Sequence, residues 1–136
     1  VAIMIVRAAY KLTVESVRDL LDASLPPEED AHIRKHISSF APAVRGFHRL
    51  RTRKSGSNRF VMFHLLVDAG MSVDESHRIT EMLTRAIQEH YPGSTITIHI
   101  EPCSGECGSK CCTDCLLSDD ERKSLRPENN VSNHES

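Results

Sequence analysis

The segment Ser94-Thr95-Ile96-Thr97-Ile98-His99-Ile100-Glu101 sets its isoleucines on one side of the chain and Thr95, Thr97, His99 and Glu101 on the other. Period-two alternation marks a strand with one covered face, because successive side chains leave the pleat in opposite directions. His99 and Glu101 therefore project side by side. An imidazole offers a lone pair near neutral pH and a carboxylate offsets positive charge, so such a pair suits a divalent cation. A solvated pair on a polar strand face is the alternative that these residues leave open.

Working upstream, Ser72-Val73-Asp74-Glu75 has the pattern of a capping box. The serine caps the third amide and the glutamate reaches back, which predicts a helix from here to about His90. Tyr91-Pro92-Gly93 stops it. Its expected core stripe is Val73, Ile79, Met82, Leu83, Ala86 and Ile87, with His77 on the flank. Before the helix, Val44 to Arg53 alternates and Phe60 to Asp68 is rich in strand formers. The turn residues Lys54-Ser55-Gly56-Ser57-Asn58 between them predict a β-hairpin. Val61, Phe63, Leu65 and Val67 share one face of the second strand, while Phe60, Met62, His64 and Leu66 share the other. His64 thus falls on a half-covered surface.

Pro26-Pro27-Glu28-Glu29 suits a first helical turn, where proline fits and acids complement the dipole. A helix is predicted from about Pro27 to Ser39, burying Ile33, Ile37 and Phe40 and ending before Pro42. A strand, helix and strand in succession favour a right-handed crossover to a parallel strand. The predicted architecture is a ferredoxin-like, α+β sandwich of order α-β-β-α-β, lacking the first strand of that fold. Both helices lie on one face of a three-stranded mixed sheet.

The ends differ in character. Val1-Ala2-Ile3-Met4-Ile5-Val6 is apolar but stops at Arg7, short of the about 20 residues that cross a bilayer. It reads either as the last turns of a longer helix, continued by Tyr10, Val14, Val17 and Leu21, or as a short soluble helix. After Pro102, Cys103, Cys107, Cys111, Cys112 and Cys115 stand among Ser, Gly and Lys. Thiolates so spaced suit a soft ion, or else form a tail of reduced thiols. The expected division is 1–23 for a membrane-helix end and linker, 24–102 for the domain, and 103–136 for a Cys-rich, largely disordered tail.

Composition narrows the function. With 136 residues and a formal charge of -2, the chain has no bulk positive charge with which to coat nucleic acid or membrane. Arg45, Arg49, Arg51, Arg53, Lys54 and Arg59 could contact anionic lipid headgroups or nucleic acid but read first as balancing nearby acids, and 4% aromatics supply no base-stacking platform. His32 and His36 sit one turn apart among Asp30, Arg34 and Lys35, a spacing at which two imidazoles can grip one ion; without an evident third ligand they read first as a solvated face, with metal binding as the lesser reading. No nucleophile with an oriented base is present, which argues against an enzyme.

Five ordered blocks, LLDASLPPEE (20–29), VRGFHRLRTRKSG (44–56), RFVMFHLLVD (59–68), ESHRITEMLTRAI (75–87) and YPGSTITIHIEPC (91–103), resemble the C-terminal cytoplasmic domain of the cation diffusion facilitators. These are zinc-type metal efflux transporters. The resemblance implies a metallochaperone-like fold, a homodimer, and attachment to the transmembrane domain of the same transporter in the bacterial inner membrane. It implies a binuclear site built from His48, His64, His77, His99 and Glu101, with the acid bridging two ions and His77 reaching the partner protomer. Zinc is the expected metal, with iron, cobalt, cadmium, nickel and manganese as alternatives. Asp22 resembles a charged latch near the membrane. Several members carry aspartate where Glu101 stands, and the cysteine cluster is outside the family pattern.

The expected function is a regulatory metal-binding and dimerisation domain of a cation/proton antiporter. Two other classes stay open: a free-standing soluble metal carrier that uses the cysteine tail, and a ferredoxin-like interaction or nucleic-acid-binding module.

Overall fold

The alternating segment forms a strand over Thr95–Cys103. It ends two residues later than its pattern predicts, so Cys103 is the buried close of the strand rather than the start of the tail. The computed structural model describes residues 1–20, 24–103, 105 and 114–125. In chain order the elements are α1 (Ala2–Leu20), α2 (Pro27–Ser38), β1 (Gly46–Ser55), β2 (Asn58–Asp68), α3 (Val73–His90), β3 (Thr95–Cys103) and α4 (Asp119–Leu125). The sheet runs β1-β2-β3, with β1 antiparallel and β3 parallel to the central β2. The α-β-β-α-β order of the sandwich is therefore present from α2 to β3.

The core lies between this sheet and two helices. Val61, Phe63, Leu65 and Val67 of β2 pack with Ile33 and Ile37 of α2 and Leu83 and Ile87 of α3. All eight are buried, and burying each such side chain is worth about 1.5–3 kcal/mol before entropy is counted. Ser72 caps α3 through the predicted reciprocal pair with Glu75. The stripe of α3 differs from the expected one: Ser76, Leu83 and Ile87 are buried, whereas Val73 is 85% and Met82 59% exposed. Val73 is the first residue of the helix, ahead of the turn that meets the sheet. Met82 stands about 100° round the helix from Leu83, beyond the packed edge.

β1 carries an irregularity that the sequence does not announce. His48 pairs with His64 and Arg51 with Met62, so two residues of β1 face one of β2. Arg49, at φ 53°, is the left-handed residue of this bulge. Without the extra residue, strict alternation from the buried Phe47 would turn Arg49 toward the core. With it, Phe47 and Leu50 both pack inward and His48 stays on the opposite face.

The tail departs from the expected disorder within its described part. Residues 114–116 return to the β1 edge: Cys115 forms a β-bridge with Gly46, and the Leu116 amide donates to the Arg45 carbonyl at 2.9 Å. The Arg34 guanidinium holds both Asp114 oxygens at 2.7 and 2.8 Å. A Cβ on Gly46 would meet the Asp114 carbonyl oxygen at 3.0 Å, so this approach needs glycine. Helix α4 follows. The basic cluster is partly paired, Arg59 with Glu29 at 2.7 Å and Arg45 with Asp68. Among the described residues, no helix is long and apolar enough to cross a membrane.

Candidate metal centre

Strand register creates the site. His48 of β1, His64 of β2 and His99 of β3 are consecutive Cα partners and form one row across the sheet. Because the odd-numbered residues of β2 face the helices, His64 and its row lie on the opposite face. Glu101, two residues beyond His99, leaves the same face of β3. The ring centroids are 5.0 Å apart for His48 and His64, and 5.0 Å for His64 and His99, the second pair stacked at 23°.

Glu101 reaches back between the first two rings. Its Oε2 accepts from His48 Nε2 at 2.9 Å and its Oε1 from His64 Nδ1 at 2.6 Å. The His48 and His64 side chains are 15% and 18% exposed and that of Glu101 is 40%. The site is thus floored by sheet and open on one side. Hydrogen bonds from His64 and then His48 hold the Glu101 carboxyl below the ordinary carboxylate range, against the opposing pull of burial.

His48, His64 and Glu101 offer ligand atoms that all lie within 4.8 Å of one another. Two imidazoles and a carboxylate are a donor set that fits zinc, and the hydrogens the rings now give to the carboxylate mark where a cation would compete. His99 stands outside that group and abuts it through its stack on His64. His77 is elsewhere: on α3, 69% exposed, with Glu81 Oε1 at 3.6 Å. Within one chain the expected five residues therefore divide into a three-residue cluster, a neighbour and a remote helix histidine. Asp22, Cys107, Cys111 and Cys112 lie outside the described residues.

The third member of one grouping escaped the sequence reading. His32 and His36, read as a solvated face, meet His90 at the end of α3, and these three also place ligand atoms within 4.8 Å of one another. The signal was the expectation that both helices share one face of the sheet, which makes a histidine on the second helix the natural third partner.

Residues 25–103 match the family model for the cytoplasmic domain of cation efflux proteins. The chain is similar to the cation-efflux pump FieF of Citrobacter koseri, 38% identical over 104 residues that make up 76% of this chain and 34% of the relative. FieF of an Escherichia coli strain gives the same identity and coverage. The chain thus spans about a third of the length of the curated relatives it matches. Among solved structures, the zinc form of CzrB is 39% identical with TM-score 0.53, covering 65% of this chain and 99% of that one. The metal-bound C-terminal domain of the CzcD transporter from Thermotoga maritima is 26% identical with TM-score 0.51, covering 57% and 94%.

Proposed function

The chain belongs to the family of cation efflux protein cytoplasmic domains, and from that membership we propose that it is the metal-sensing, dimerising domain of a zinc efflux transporter. His48, His64, His99 and Glu101 take the cation on the sheet face, in a binuclear arrangement with Glu101 between the ions. His77 of a second copy completes the site. The membrane helices that carry zinc outward in exchange for protons belong to the remainder of the transporter.

The observation that carries this reading is the convergence of His48, His64 and Glu101 within 4.8 Å, with His99 stacked beside them. Histidine and carboxylate donors suit zinc, and the CzrB relative is described in a Zn form. The remote position of His77 supports the dimer, since an exposed helix imidazole has no route to the sheet face of its own chain. Metal that binds across two copies favours the joined arrangement only by its differential affinity for it. A site shared between copies has that differential built in, because the single chain lacks the His77 that completes it.

Equilibrium dialysis against zinc followed by elemental analysis tests the assignment. The sheet-face site should take about two ions per protomer, and replacing His64 and His99 together with alanine should remove them. Unchanged stoichiometry in that variant would reject the assignment.

A further inference from the structure

The cluster on the helix side of the sheet is separate from the centre just described, and it has the marks of a site. His32 and His36 lie one turn apart on α2, and His90 ends α3. Their ring centroids are 4.6 Å apart for His32 and His36, 4.9 Å for His32 and His90, and 4.5 Å for His36 and His90.

Hydrogen bonds indicate which nitrogens are free. His90 Nδ1 lies 3.3 Å from the Ala86 carbonyl. A carbonyl only accepts, so Nδ1 carries the hydrogen and Nε2 keeps its lone pair. His32 Nδ1 lies 3.1 Å from the Tyr91 hydroxyl, which can accept from it, and in that tautomer Nε2 keeps its lone pair. Among the described residues, His36 Nε2 is buried without any hydrogen-bond partner. Folded proteins rarely leave such an atom unsatisfied, and a ligand is one standard resolution. We infer that His32, His36 and His90 form a second cation site, binding a zinc-type divalent transition ion through three imidazole nitrogens.

The electrostatics favour a cation there. His36 is in the last turn of α2 and His90 in the last turn of α3, so the negative ends of two helix dipoles meet at the cluster. Burial, then the neighbouring His32 and His90, lower the His36 pKa, which keeps its ring neutral and able to donate. Lys35 opposes a cation and Glu89 favours one. The contact of His32 with Tyr91 is the kind of outer hydrogen bond that orients a metal-bound ring. Tetrahedral zinc needs nitrogens about 3.3 Å apart, a closure that small rotations of rings already within 4.8 Å supply. Because His90 is exposed, water reaches the cluster from its side. A set of nitrogen donors without a carboxylate selects zinc, nickel or copper over magnesium and calcium.

Ring-nitrogen spectra of the histidine-labelled chain, titrated with zinc chloride and separately with magnesium chloride, test this. Zinc should move the Nε2 signals of His32, His36 and His90 together to metal-bound positions, and magnesium should leave them in place. The same shifts should persist when His64 and His99 are both alanine, which separates this site from the sheet-face one. Dialysed His36→Gln chain should hold one ion fewer per protomer. Three unshifted rings at saturating zinc, or a shift of one ring alone, would overturn the inference, and both readouts come from the unaltered chain.

Discussion

His64 Nδ1 lies 2.6 Å from Glu101 Oε1, while the other oxygen of the same carboxylate takes His48 Nε2 at 2.9 Å. One acid thus joins two strands that are not neighbours, across the width of β2. Glu101→Gln keeps the size and removes the charge. Zinc affinity should fall by at least about 10–100-fold, since losing even a group that only orients a ligand costs that much, and competition against a chromogenic chelator measures it. Unchanged affinity would remove Glu101 from the site.

His77 separates assembly from folding. Its side chain is 69% exposed and pairs only loosely with Glu81, so His77→Ala should alter metal-free stability by less than about 0.5 kcal/mol. Sedimentation in zinc should nonetheless show a weaker dimer. Equal dimerisation of both proteins would mean that the helix histidine does not cross between copies.

The bulge at Arg49 keeps His48 on the sheet face, and φ 53° is a conformation that glycine adopts without penalty. Arg49→Gly should therefore be neutral or stabilising by up to about 1 kcal/mol, and Arg49→Val destabilising. Deleting the residue should be worse than either, because a one-residue slip exchanges the faces of β1 and drives His48 or Phe47 to the wrong side. Urea unfolding midpoints rank the three. A deletion as stable as the parent would contradict the role given to the bulge.

Arg59 holds Glu29 at 2.7 Å, tying the first turn of α2 to the start of β2. The hydrogen bond to Arg59 lowers the Glu29 pKa, so protons bind the unfolded chain more readily than the folded one. The pair's contribution, about 1 kcal/mol or less, is therefore complete above the ordinary glutamate value. It disappears as pH falls through the lower folded one. Glu29→Gln should flatten this part of the acid limb in metal-free protein, and a parallel limb in both would refute the linkage.

Elements written in local pattern were legible. The alternation of residues 94–101, the Ser72–Glu75 box and the Ile33–Ile37 stripe each specify an element and its buried face, and the hairpin turn aligns its strands. The row of three histidines does not follow from the turn alone: its register would set His48 opposite Leu65, and the bulge between His48 and Arg51 moves His48 opposite His64. The sequence reading paired only His99 with Glu101 before the family resemblance entered. What stayed hidden depends on packing between distant segments. Nothing near His36 indicates that α3 will end with His90 beside it. Arg49 lacks the glycine that usually signals a left-handed bulge residue. The segment around Asp114 is held by distant partners: Arg34, the β1 edge, and the main core against which Leu116 packs.

Anomalous diffraction at the zinc edge from crystals of the zinc-loaded chain tests the central claim most directly. The account predicts density among His48, His64, His99 and Glu101, with His77 of a second copy in the same coordination sphere. Density confined to other residues, with these side chains still bonded only to one another, would contradict it.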